Sequence, residues 1–336
     1  MTEHILEVED LRGYYRGVFG VVRAIDGVSF NLNRGTIMGI AGESGGGKST
    51  LAQLISGSPP PLLHLEGGRI LVDGIDIYNI NPEELRTEVK CKRMSYVPQA
   101  SMESLNPVKR IRDFIFDVVG QRTGKRVRSK ERKAEILEMA ANHIKTLGLD
   151  SSVLDRYPHE LSGGMKQRIV IAISTLWNPK LLIIDEPTSA LDVTSQKRMI
   201  KALLNLKRAG IIDSMLYISH DLTSLRQCCV RSMVMYAGKV VEMGSMDETI
   251  NDPLHPYSQL LGAAIASYDP KGKKQDALQS IPGSPPDLRN PPSGCRFYPR
   301  CPYAMDICKT EEPPMFMVGG GNRGAACWLL KSTTGE

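Results

Sequence analysis

A chain of 336 residues, 41% of them hydrophobic, has material for one large core with an appendage, which excludes the small domains that depend on disulfides. A net charge of +5 over such a surface carries no argument for nucleic acid, and no run of about 18 apolar residues exists that would cross a membrane as a helix. The opening MTEHILEVEDLRGYY is acidic and alternating, so a secretory signal is not expected and a reducing, cytoplasmic setting is.

In chain order, ILEVEDL (5–11) and LEGGRILVDGIDIY (65–78) alternate apolar with polar and carry Gly-Gly and Asp-Gly turn signals, which predicts antiparallel strands. TIMGIA (36–41) and KLLIID (180–185) are short and continuously apolar, as central strands covered on both faces are. From about 108 to 160 the spacing turns helical, with Ile111, Phe114, Ile115 and Val118, then Ile136, Leu137, Ala140, Ala141, Ile144 and Leu147. The basic run RTGKRVRSKERK (122–133) reads as a solvated loop and helix start. Cys228 and Cys229 are expected on a helix as small packing residues, like Cys91 elsewhere. Beyond Ser267 the composition turns to Pro, Gly and charge, which marks a linker, and a cysteine-bearing tail follows.

Gly42-Glu43-Ser44-Gly45-Gly46-Gly47-Lys48-Ser49 fits G-x-x-x-x-G-K-[ST] between an apolar strand and the helical run STLAQLIS. Glycines let successive N–H groups turn inward around a polyphosphate, and the helix starting at Lys48 adds its positive end. Lys48 would reach the β- and γ-phosphates of ATP, Ser49 would ligate Mg²⁺, and Thr50 belongs to the same loop. The run 181–184 ends in Asp185-Glu186: Asp185 is placed to hold the metal through water, and Glu186 to polarise an attacking water. The fold class expected is α/β: a P-loop NTPase (RecA-like) core with an N-terminal antiparallel β layer, a helical insertion and a small C-terminal cysteine-containing extension. The expected division is 1–250, with the helical subdomain at about 100–165, and 251–336.

Leu161-Ser162-Gly163-Gly164-Met165 resembles the signature motif of ABC-type ATPases, Gln99 in YVPQ their Q-loop, Ser189-Ala190-Leu191-Asp192 their D-loop, and His220 in YISHD their switch histidine. All five motifs, the P-loop included, occur in the expected order. His255-Pro256-Tyr257 and IPGSPPDL (281–288) are similar to the C-terminal extension of oligopeptide and dipeptide importer ATPases, and Met165 in place of a glutamine is common in that branch. The resemblance implies a head-to-tail pair of ATPases in which Ser162, Gly163 and Gly164 serve the nucleotide of the opposite subunit. It further implies Gln99 as a γ-phosphate sensor and Mg²⁺ ligand, Tyr15 as the adenine-stacking residue, and Glu186 with His220 as the hydrolytic pair. Tyr14 is adjacent, and alternation along a strand sends one of the two tyrosines away from the base. The partners implied are a homologous second-type ATPase in a heterodimer, two integral-membrane permeases and, indirectly, an extracellular solute-binding protein. The place implied is the cytoplasmic face of the membrane. Cargo stays open among peptides, β-linked oligosaccharides and nickel. A non-transport ABC ATPase acting on nucleic acid or ribosomes is the reading of a different class.

Four of the seven cysteines fall at Cys295, Cys301, Cys308 and Cys327. Their spacing matches neither paired C-x2-C zinc ribbons nor the bacterial ferredoxin run. Four thiolates on a Pro- and Gly-rich framework suit one tetrahedral or cubane centre. Some members of the resembled family carry a [4Fe-4S] cluster on similarly placed cysteines. Zinc, disulfides and free thiols are the other readings.

Overall fold

Every side chain of a strand covered on both faces must leave water, so such strands are apolar throughout. Ile37–Ala41, Leu181–Asp185 and Ser214–Ile218 are buried at every position; the first two are the runs expected to be central. The computed structural model describes residues 3–18, 20–189, 191–266 and 281–331. Ala190 of the SALD stretch and the first half of the linker, 267–280, lie outside the described residues. The chain divides into two units: Met1–Leu6, Asn33–Gly35 and Leu71–Leu216 form one, and Glu7–Leu32, Thr36–Ile70 and Tyr217–Glu336 the other.

In the first unit, Met94–Val97 pairs in parallel with Leu181–Asp185, Tyr96 lying opposite Ile183 and Val97 opposite Ile184. The stretch with helical spacing forms Ile111–Thr123 and Lys130–Thr146, the latter capped by Ser129 Oγ, which accepts from the Arg132 N–H at 3.2 Å. Ile111, Ile115 and Val119 are the buried face of the first helix, so the apolar stripe is centred one residue beyond the expected Val118. The basic run is exposed apart from the half-buried Arg122, Val127 and Lys133; the Arg122 guanidinium lies 4.3 Å from the centroid of the Trp177 ring, and Lys133 Nζ 5.4 Å from that of Phe116. Helices Gly163–Ser174 and Val193–Arg208 complete the unit's helical part.

The turn after Val72 places Asp73 among three cations, Arg34, Arg93 and Lys180, the last at 2.8 Å. Burial alone would raise the Asp73 carboxyl, but the hydrogen bonds and charges of Lys180 and Arg34 outweigh it and hold the group at about 2. Arg93 and Lys180 directly precede the paired strands, so one carboxylate gathers the starts of both.

In the second unit the strands Gly20–Asn33, His4–Gly17 and Leu63–Val72 lie side by side in that order. They form the β layer expected from the alternating N-terminal segments. Ile37–Ala41 pairs in parallel with Arg231–Tyr236, which pairs antiparallel with Lys239–Ser245. The tail does more than hang from a linker. Arg323–Ala325 pairs antiparallel with Lys239–Ser245, Glu242 lying opposite Ala325, and Phe316–Val318 pairs in turn with Arg323–Ala325. The extension thereby covers what would otherwise be an open sheet edge.

The extension is also fastened through aromatic rings. Tyr236 of the sheet, Tyr257 of the HPY stretch and Phe297 of the tail are buried together, with ring centroids 4.7 Å apart for Tyr236–Tyr257, 5.2 Å for Tyr236–Phe297 and 5.4 Å for Tyr257–Phe297. Cys228 and Cys229 are buried packing residues, as expected, but they lie just past the helix Leu222–Arg226 rather than on it. Cys229 fills the space over Gly39, where a Cβ would meet its Sγ at 3.1 Å.

Candidate nucleotide site and cysteine centre

The glycine loop expected to cradle phosphates lies wholly in the second unit. The chain leaves the buried strand Ile37–Ala41, turns through 42–47 and enters the helix Lys48–Ile55. At Gly42, with φ 146°, a Cβ would lie 2.2 Å from the Met235 carbonyl oxygen; at Gly47, with φ 98°, it would lie 2.6 Å from that of Ala24. Both positions therefore require glycine on two grounds, backbone angle and space. Gly46 is held by its neighbours: its N–H donates to the Glu43 carbonyl at 3.1 Å, and its carbonyl accepts from the Gly238 N–H at 3.0 Å. Ser44 and Gly45 form the exposed tip, and Ser49 and Thr50 are half-buried in the first helical turn.

Lys48 is only 6% exposed, and its Nζ donates to the carbonyls of Gly42 and Glu43, each at 2.8 Å. A buried ammonium satisfied by the loop's own carbonyls is a cation stored where an anion can claim it.

The two adjacent tyrosines separate as strand alternation requires. The Tyr15 hydroxyl donates to Gln53 Oε1 at 3.2 Å and lies 3.4 Å from Thr50 Oγ1, on the side of the helix that follows the cradle. Tyr15 also lines a groove of about 290 Å³ with Arg16, Val22, Leu62 and Arg289. Tyr14 points elsewhere, donating to Asp26 Oδ1 at 2.8 Å. His220, exposed, follows the strand Ser214–Ile218. Its neighbours hold the turn: the Ser219 N–H donates to the Ile40 carbonyl at 3.1 Å, and Asp221 caps Leu222–Arg226 by accepting from the Thr223 N–H at 2.8 Å.

The acids lie in the first unit. Asp185 ends the strand Leu181–Asp185 and is 1% exposed; Glu186, 8% exposed, has φ 49°. A glutamate in the left-handed region is uncommon, and it marks the turn by which the chain leaves the strand. The Glu186 carbonyl accepts from the Ser189 N–H at 3.3 Å and from Ser189 Oγ at 3.1 Å, which closes the turn. Gln99 leaves the adjacent parallel strand and is exposed, so the Q-loop and the acid pair emerge from the same end of two paired strands.

Ser162 caps Gly163–Ser174, its Oγ accepting from the Met165 N–H at 3.4 Å. The signature residues Ser162 and Gly163 are therefore exposed at the positive end of a helix of 12 residues. Asp192 of the D-loop caps Val193–Arg208, accepting from the Ser195 N–H at 3.0 Å and Ser195 Oγ at 2.6 Å; these bonds lower its pKa. Ser195 also lies against the signature helix, since a Cβ on Gly164 would stand 3.5 Å from it.

Cys295, Cys301, Cys308 and Cys327 line one cavity in the second unit, with His255 and Phe297 among its other walls. Cys91, Cys228 and Cys229 take no part in it. None of the seven cysteines is joined in a disulfide. Burial, reinforced by the neighbouring sulfurs, pushes Cys295 up to about 11; burial likewise takes Cys327 to about 11. Burial drives His255 down to about 3, so it is a neutral wall whose Nδ1 accepts from the Tyr257 N–H at 3.0 Å. The free space is about 10 Å³, and among the described residues no three His, Cys, Asp or Glu side chains are grouped to hold a single ion. The donor set, four soft sulfurs on one largely apolar cavity, nevertheless matches what an iron–sulfur group uses.

Sequence reading missed the two arginines in GCRFYPRC. Arg296 reaches Asp26 and the Ala237 carbonyl, and Arg300 makes a two-pronged pair with Glu43 of the cradle. The only available signal was their position beside Cys295 and Cys301.

Residues 25–189 match the family model described as ABC transporter, and 241–308 the one described as oligopeptide/dipeptide transporter, C-terminal region. The chain is 38% identical to a dipeptide transport ATP-binding protein, DppD, of Caldanaerobacter subterraneus subsp. tengcongensis, over 97% of each chain. It is 39% identical to the oligopeptide transport ATP-binding protein OppD of Bacillus subtilis, over 97% of this chain and 89% of that one. Among solved structures, cbiO1 of Clostridium perfringens, part of the ABC transporter complex cbiONQ, matches with a TM-score of 0.60 at 29% identity, over 75% of this chain and 92% of that one. A glycine cradle with a stored lysine, an acid pair on a buried strand end and a helix capped by Ser162 thus stand in a chain matched almost end to end, and the chain belongs to the ABC transporter ATPases that bear the oligopeptide/dipeptide transporter C-terminal region.

Proposed function

We propose that the chain hydrolyses ATP to power import of di- or oligopeptides by a membrane ABC transporter; its relatives are named for dipeptide or oligopeptide transport and ATP binding. The observation that carries this reading is the pairing of a complete cradle and acid pair with an extension built into the same sheet as the cradle strand. Peptide cargo is favoured over β-linked oligosaccharides and nickel by the dipeptide and oligopeptide relatives. In this reading 1–250 is the ATPase domain, with its helical subdomain at about 100–165, and 251–336 the extension.

Gly42, Ser44, Gly45, Gly46 and Gly47 form the loop around the phosphates, Lys48 carries the counter-charge, and Tyr15 stacks on adenine. Ser49, Gln99 and Asp185 hold Mg²⁺, which supplies charge neutralisation on the phosphates. Glu186 polarises water and His220 assists. Ser162, Gly163 and Gly164 serve the nucleotide of a second ATPase, a homologue in a heterodimer, with Asp192 shaping the interface. Closure of that pair around ATP acts on two permeases, to which the helical stretch between Gln99 and Leu161 is the docking part. No helix among the described residues is long and apolar enough to cross a membrane, which accords with a peripheral subunit held by permeases at the cytoplasmic face. A solute-binding protein delivers cargo on the other side.

Affinity purification of the tagged chain from its host membranes is expected to bring down two integral-membrane subunits and a second ATPase. Recovery of ribosomes or DNA in their place would replace this reading with the non-transport class.

The four tail cysteines are the ligands of a [4Fe-4S] cluster in the same proposal. Bound there, the cluster would tie four points of the tail together through iron–thiolate bonds, which a tail of few apolar residues needs. Anaerobic purification is expected to yield a brown protein containing iron and labile sulfide, its colour lost in Cys301→Ser. A colourless protein carrying stoichiometric zinc would overturn the assignment.

A further inference from the structure

Glu43 is the second residue of the cradle, and the extension holds it at two points. Its backbone N–H donates to the Tyr257 hydroxyl at 2.7 Å, and its carboxylate accepts from Arg300 Nη1 at 2.7 Å and Nη2 at 3.1 Å. Arg300 is itself fixed: Nε donates to the Pro282 carbonyl at 2.7 Å, Nη1 to the Tyr236 hydroxyl at 3.2 Å, and its side chain is only 5% exposed. The Glu43 carbonyl accepts from Lys48 and from the Gly46 N–H. The second tail arginine braces the far side, since Arg296 donates to the Ala237 carbonyl and the next residue, Gly238, donates to Gly46.

These bonds differ in what ATP does to them. A phosphate competes with the two carbonyls for the three donors of the Lys48 ammonium, so the loop's internal staple weakens at the moment of binding. The bonds from Arg300 and Tyr257 involve no group that the nucleotide claims. We propose that Arg300 of the cysteine-bearing tail is a positioning residue for ATP, holding Glu43 so that the cradle keeps its shape when a phosphate draws on Lys48. Without it, ordering the loop is charged against binding, which weakens affinity. The same guanidinium neutralises the one carboxylate of the cradle loop.

The proposal rests on the cradle reading above, and the test separates the two. Dissociation constants for MgATP are measured calorimetrically on the full-length chain for Arg300→Gln, Glu43→Gln, the double variant and Lys48→Ala, with thermal melts to establish folding. Arg300→Gln is expected to weaken binding about tenfold, a loss of the size of one charge-assisted bond. Glu43→Gln should act in the same direction, and the double variant should bind no more weakly than Arg300→Gln, because carboxylate and guanidinium act through each other. KM for ATP should rise while kcat stays within about twofold, the signature of lost binding rather than lost chemistry.

Unchanged affinity in Arg300→Gln, or single effects that multiply in the double variant, overturns the proposal while a weakened Lys48→Ala leaves the cradle reading standing. Unchanged affinity in Lys48→Ala overturns both. If Arg300→Gln fails to fold, the partly exposed Glu43→Gln decides alone, and wild-type affinity there overturns the brace.

Discussion

Glu186→Gln is expected to lower steady-state ATP hydrolysis by about 10²- to 10⁴-fold, the range of a general base in its transition state. Binding of MgATP should persist, because the amide keeps the size of the carboxylate and the turn is held by the Glu186 carbonyl, which still accepts from Ser189. The side chain is 8% exposed on a backbone at φ 49°, so it is positioned by the chain rather than by solvent. With ATP bound and turnover stopped, the proposed pairing of two ATPases predicts that the variant accumulates as a closed dimer, visible by size-exclusion chromatography. Hydrolysis at the wild-type rate would remove Glu186 from its role and leave Asp185 as the acid to test.

Lys48→Ala is expected to act one step earlier, weakening MgATP binding by about 10- to 100-fold, as loss of a charge-assisted hydrogen bond in a buried setting does. The substitution removes the cradle's stored cation and leaves the Gly42 and Glu43 carbonyls without that donor. Some of the loss therefore falls on the loop's shape and some on the missing phosphate contact. The two variants differ diagnostically: one binds without turning over, the other fails to bind. Calorimetry that found unaltered affinity in Lys48→Ala would remove the cradle assignment.

The cradle could be read from the sequence because its chemistry is local. Gly42 and Gly47 sit where φ is positive and a carbonyl stands within 2.6 Å of any Cβ, and Lys48 follows as the first residue of the helix Lys48–Ile55. The acid pair was legible for a related reason. A run of buried apolar residues that stops at two carboxylates marks where a strand reaches the edge of the core. Strand alternation correctly separated Tyr14 from Tyr15 but did not say which faces the helix after the cradle; the bonds to Gln53 and Asp26 decide that.

Elsewhere local pattern was insufficient. Cys228 and Cys229 read as helical because apolar spacing near a chain turn looks helical, yet the helix stops at Arg226. The tail read as an appendage because its strands, Phe316–Val318 and Arg323–Ala325, are three residues each, too short for periodicity to register.

By itself, then, the order of residues marked the glycine loop and the strand end at the two acids, because each is set by backbone angle or by spacing along a few residues, whereas the signature was legible only by resemblance and the spacing of the four thiols left their role open. Only the tertiary structure decided that the thiols line one cavity, that the tail completes a sheet, and that Arg300 grips Glu43 from 257 positions away. Contacts of that kind depend on how buried rings and strand edges find one another once the core has formed, and no spacing along the chain encodes them.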